Sequence, residues 1–192
     1  VIQLRYSTLS MHEATMAALE AGGSGLAQVR DRYADVERVV RHVARHYNRG
    51  LQEFDELDAL GLDRAELAQY YQIATQLERA ATHIRTVADH LEALDPELPA
   101  EDLDPVHSLG EDAGALLEAS VEAALNGGDT DRAHAALDST ADLVDRARDV
   151  DARSMDSAAA YRLGAIIEAI LAIARAGGQI AEAALHRSIT DG

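Results

Sequence analysis

Residues 63–94 read DRAELAQYYQIATQLERAATHIRTVADHLEAL, and this stretch decides the fold class. Its apolar side chains fall at Leu67, Tyr70, Ala74, Leu77, Ala81, Ile84, Ala88 and Leu91, in alternating steps of three and four. That spacing returns again and again to one side of a helix, so the stretch predicts a long helix carrying a bundle seam. Asp63 stands where a carboxylate can accept from the first free amides, and it marks the start.

The same pattern extends outward in both directions. Upstream, Leu26, Val29, Tyr33, Val36, Val40, Val43 and Tyr47 form a second seam, with a break expected near Gly50 and an end before Gly61. A shorter helix over about Tyr6–Glu20 stops at Gly22-Gly23. Downstream, helices are expected over about Leu109–Leu125, from Asp129 or Thr130 to about Arg153, and from near Ser157. The last carries Leu163, Ile167, Ile170, Ala174, Gly177, Ala181 and Ala184. Gly177-Gly178 inside it costs on the order of 1 kcal/mol per Gly relative to Ala, a cost that marks close helix–helix approach.

All three prolines lie between Leu94 and Val106. Proline breaks helices, so this segment is the expected boundary. The plan is therefore all-α: six helices as two tandem three-helix bundles, residues 1–94 and 107–192, joined by a linker over 95–106.

Composition agrees. Ala and Leu dominate the 47% hydrophobic residues, with one Phe and no Trp, a mixture that favours helix over strand. The absence of Cys excludes disulfides and thiolate metal sites. No apolar run approaches roughly 18 residues without a charged or polar interruption, so no membrane insertion is expected. The start lacks the pattern of a signal peptide, and the expected setting is cytoplasmic. Thirty-four Asp and Glu face 17 Arg, with no Lys, for a net charge of −17. This is the composition of a salt-loving organism with a GC-rich genome. At molar salt the Debye length is about 3 Å, so the acidity reads as habitat rather than as substrate preference.

Gln76-Leu77-Glu78-Arg79-Ala80-Ala81-Thr82-His83-Ile84-Arg85-Thr86-Val87-Ala88 resembles the third-helix signature of the PhoU family, in outline L-E-R-hydrophobic-small-D-H-A-x-N-I-A-E. The matches are Leu77, Glu78, Arg79, His83 and Ala88, with Asp89 at the last acidic position. A weaker echo lies at Gln179-Ile180-Ala181-Glu182, within Ala172–Ala184. The family's second-helix acid is similar to Val36-Glu37-Arg38 and Val144-Asp145-Arg146.

The resemblance implies an accessory regulator of phosphate uptake, linking a phosphate transporter to its signalling kinase. It also implies acidic clusters for iron, manganese or zinc on the second and third helices. Here Thr82 replaces one acid, and Leu171 and Arg175 replace both in the second half. The expected state is therefore without a cofactor. Any residual iron, manganese or zinc site would use Glu37, Glu78 and His83. The family also occurs behind a swapped-hairpin DNA-binding domain of the AbrB type. The Val1 start fits excision from such a parent, with DNA bound only through that separate N-terminal domain.

Other constellations are weaker. His42 and His46, four apart on the second helix, have a spacing that can bind zinc. Arg41 and Arg45 beside them favour a solvated pair. His83 and His90 sit seven apart on the third helix. Arg38, Arg41, Arg45 and Arg49 form one positive face, a candidate docking strip for phosphate or another anion, an acidic protein partner or nucleic acid, the last disfavoured because no aromatic residue is interleaved to stack bases. Ion pairing with acids such as Asp35, Glu37 or Glu66 is the simpler reading. The acid pairs Asp31/Asp35, Asp138/Asp142 and Asp145/Asp149 read as solvated faces. No catalytic constellation is present, and the chain is expected not to be an enzyme. The expected activity is a regulatory adaptor that binds proteins of phosphate transport or signalling and forms a homo-oligomer. The alternatives are a metal-binding protein keeping one site in the first half, and the oligomerisation or sensor domain of a DNA-binding regulator.

Overall fold

The structure, a computed structural model, describes residues 1–21, 25–94, 100–126, 129–150 and 157–190. Among them the chain is helical throughout: α1 (Ile2–Glu20), α2 (Ala27–Gly50), α3 (Phe54–Leu60), α4 (Arg64–Glu92), α5 (Ala100–Leu125), α6 (Thr130–Arg148) and α7 (Ser157–Thr190). The all-α expectation holds, with seven described helices in place of six.

The seventh comes from the break near Gly50. Gly50 is buried, and a Cβ there would sit 2.4 Å from Leu67 Cδ2 and 3.2 Å from Leu57 Cδ2. α2 ends at this close approach. After a short turn the chain restarts as α3, closed by Gly61 at φ 65°, a left-handed conformation glycine adopts without penalty. Asp63 then starts α4 as expected. Its Oδ1 accepts from the Glu66 amide at 2.8 Å, while the Asp63 amide donates to Glu66 Oε2 at 3.0 Å. This reciprocal box satisfies two orphan donors. Asp129 caps α6 by accepting from the Arg132 amide at 3.1 Å.

Three boundaries differ from expectation. α1 begins at Ile2 rather than Tyr6, α6 ends at Arg148 rather than near Arg153, and α5 begins at Ala100. Residues 100–106, read as linker, are the first turns of α5, with Pro105 inside the helix. Pro105 is the sixth residue of α5, past the first turn, so it forfeits one helical hydrogen bond to the carbonyl four residues back. Residues 95–99, the rest of the expected linker, and Gly22-Gly23 and Gly127-Gly128, the expected stops, lie outside the described residues.

α1, α2 and α4 pack on one another, and so do α5, α6 and α7. The two sets are not separate cores. α4 packs more extensively on α7 than on α1 or α2, α1 also meets α5, and one continuous apolar cluster runs through all of them. α4 accordingly has a second buried stripe, Ile73, Ala80 and Val87, beside the expected seam. α7 likewise adds Ile166, Ile173, Ala176 and Ile180. By length and apolar composition α7 could cross a membrane over Ser157–His186, although Glu168 and Arg175 interrupt its apolar runs. Here its apolar sides are covered by α4, α5 and α6, the position of a core helix.

The expected close approach at Gly177-Gly178 is present. A Cβ on Gly177 would meet Leu116 Cδ2 at 2.3 Å and the Leu117 backbone at 3.2 Å, and one on Gly178 would meet Thr140 at 3.2 Å. The two glycines thus seat α7 against α5 and α6. A matching pair acts across α1 and α5. Gly110 makes room for Met16 and Gly114 for His12, whose side chains would lie 2.2 and 2.5 Å from added Cβ atoms.

Candidate functional site

The α4 signature stretch lies between α2 and α7. On the α2 side, Thr82 stands where the resemblance calls for a carboxylate. Its hydroxyl donates to the Glu78 carbonyl at 3.0 Å and lies 3.3 Å from Tyr33 Oη. Arg85 stacks its guanidinium over the Tyr33 ring, 4.1 Å from the centroid. This face is thus a hydroxyl pair beside a cation, a poor lining for a divalent metal. Glu37 and Glu78 are half-buried on α2 and α4. His83 is half-buried too, and burial together with the nearby Arg175 charge holds its pKa below the ordinary histidine value. Nothing joins Glu37, Glu78 and His83 to one another by hydrogen bond or ion pair among the described residues, and no three His, Asp or Glu side chains there gather around a metal-sized position.

On the α7 side, Arg79 reaches Gln179 Oε1 at 3.5 Å. Residues 76–88 of α4 therefore face residues 172–184 of α7, the first at Arg79 and His83, the second at Gln179 and Arg175. His90, further along α4, meets the Tyr161 ring edge-on at 6.2 Å.

The α2 arginine strip divides into paired and unpaired members. Arg38 pairs with Asp35 at 3.0 Å, and Arg49 pairs with Glu56 at 2.8 Å and Glu53 at 3.5 Å. Arg41 and Arg45 are exposed and carry no ion pair among the described residues. Between them His42 and His46 lie closer than a solvated pair requires: their Nε2 atoms are 3.0 Å apart. His46 Nδ1 is 2.5 Å from Glu56 Oε1, and Glu56 is only 6% exposed. The acid pairs are exposed as expected, and Asp142 and Asp145 are held by Arg146 and Arg148. Arg146 also donates to Asp112 at 2.6 Å and Ser108 at 3.2 Å, tying α6 to α5.

Two functional candidates escape sequence reading. Glu56 belongs to a helix created by the Gly50 break, so no periodicity relates it to His46. His12 lines a cleft of about 530 Å³ between α1 and α5, with His107, Glu20 and Glu111 among its other walls. Its Nε2 is buried without a partner. Burial is the main cause that lowers its pKa to about 4, against a hydrogen bond to the Gly110 backbone that raises it. The one available signal for His12 is the four-residue spacing of Gly110 and Gly114, which matches that of His12 and Met16.

Comparison of the chain with protein-family models, with curated proteins and with solved structures gives no match.

Proposed function

We propose that the chain is a regulatory adaptor of the PhoU-like kind, acting in phosphate-uptake control by binding proteins through its helical faces rather than by catalysis. What supports this reading is the like packing of two sets of three helices. α1, α2 and α4 close on one another, as do α5, α6 and α7. α4 carries the stretch that resembles the signature, α7 carries its weaker echo, and the two meet at Arg79 and Gln179. This arrangement favours the reading of two related three-helix units fused along α4 and α7.

The contact face we assign is the C-terminal half of α2 with α3. Arg41 and Arg45 project there without ion pairs among the described residues, and Leu51 and Phe54 stay 49% and 71% exposed. Such a face suits a partner presenting acidic side chains around an apolar contact. The unit has no metal requirement in this reading, because Thr82 and Arg175 occupy positions where acids would be needed.

The test is genetic. Deleting the gene in its host is expected to release phosphate uptake from repression under phosphate-replete growth. Complementation by the intact chain is expected to restore repression, and complementation by an Arg41→Glu/Arg45→Glu double variant is expected to fail. Uptake and phosphate-responsive transcription unchanged by the deletion would sink the reading.

A further inference from the structure

We propose that His42 and His46 form a binding site for a single borderline divalent cation of the zinc type, with Glu56 as the residue that orients His46. The site is distinct from Glu37, Glu78 and His83, and it does not depend on the adaptor reading.

The tautomer is set by the buried carboxylate. Glu56 Oε1 lies 2.5 Å from His46 Nδ1, and a carboxylate accepts, so Nδ1 carries the ring proton. In neutral His46 the lone pair is then on Nε2. That atom faces His42 Nε2 at 3.0 Å, with the two rings nearly perpendicular at 85°. A carboxylate on the far nitrogen of a ligating histidine is the usual outer-shell arrangement, which fixes the ring and raises its basicity.

The separation also fits. Two nitrogens at about 2.0–2.1 Å from one ion and about 3.0 Å from each other subtend about 95°, between square-planar and tetrahedral angles. Opening to a tetrahedral site needs a shift of only about 0.3 Å, which exposed His42 can supply by side-chain rotation. Without metal, a proton on His42 Nε2 bridges the two rings. On binding, His42 takes the other neutral tautomer, with its proton on Nδ1, and both Nε2 lone pairs point at the ion. Water completes the coordination, because the pair opens to solvent.

Charge does not forbid the site. Arg49, which shares Glu56 with His46, is neutralised by Glu56 at 2.8 Å and Glu53 at 3.5 Å. Arg41 and Arg45 are exposed, where salt screens them. Glu56 is held by both His46 and Arg49, the two partners that offset the cost of burying a carboxylate.

The experiment is calorimetric titration of zinc into untagged, chelator-treated protein in molar salt, which suppresses loose binding to the acidic surface. One saturable equivalent is expected. His42→Ala, a change at an exposed position that leaves the core untouched, is expected to weaken binding at least tenfold. Glu56→Gln keeps both zinc-ligating histidines and is expected to weaken binding about tenfold, the effect of losing an outer-shell carboxylate. Should Glu56→Gln fail to fold, His42→Ala decides alone. Absence of saturable binding, or wild-type affinity in His42→Ala, overturns the site and leaves the adaptor function standing.

Discussion

Gly164 and Gly177 share α7 but predict opposite outcomes on substitution. Nothing lies within 4 Å of a Cβ built at Gly164, so Gly164→Ala is expected to stabilise the protein by about 0.5–1 kcal/mol through helix propensity. At Gly177 the same methyl meets Leu116 and the α5 backbone. Overpacking of about 1–3 kcal/mol then outweighs the propensity gain. Chemical denaturation of the two variants beside the parent checks both signs. His12 gives a pH-dependent counterpart. Its folded pKa is about 4 against an ordinary 6.5, so between those values the unfolded chain binds the proton and the folded chain does not. Stability is therefore expected to fall as pH drops from about 6.5 towards about 4, by roughly 3 kcal/mol from this group, and to be indifferent to it above that window. Urea midpoints measured at several pH values should decline less steeply in His12→Gln, and parallel curves would remove His12 as the cause. At this scale the sequence was legible only where partners are near neighbours in the chain. Asp63 announces its cap locally. Glu56 and His12 do not, because their partners are brought by a helix break and by a distant glycine pair.

At the scale of elements, the capping box at α4 is the most local determinant of the longest seam in the first half. Asp63→Ala removes the acceptor for the Glu66 amide and is expected to cost about 1 kcal/mol, seen as a lower denaturation midpoint. Helix identity was readable from periodicity, since each expected helix overlaps a described one. Boundaries were read less well for a physical reason. Pro105 looks like punctuation in a sequence, yet α5 runs through it at the cost of one helical hydrogen bond. α3 was hidden in the same way: seven residues are too short for a periodic signal, and Gly50 shows only that something must change there.

At the scale of the whole molecule, the sequence spoke for the all-helical class but not for how the helices join. The sign was present in the second apolar stripes of α4 and α7, whose Ile73, Ala80, Val87, Ile166 and Ile173 exceed what one seam uses. Because one core spans both sets of helices, heat is expected to unfold the chain in a single transition rather than two. Ile173→Ala, at a fully buried α7 position, is expected to cost about 2–5 kcal/mol and to lower that one transition without splitting it. Calorimetry distinguishes this from two independent units, which would separate into two peaks. The central place of α7 also bears on how the protein is made. A ribosome adds roughly 5–20 residues per second, and it releases α4, α5 and α6 before the helix that covers all three. Until residues 157–186 emerge, the stripes of those helices that α7 covers stay bare, although α4 already has α1 and α2, and α5 already has α1 and α6, to close on. During synthesis those α7-facing stripes are the apolar surface that a holding chaperone would cover.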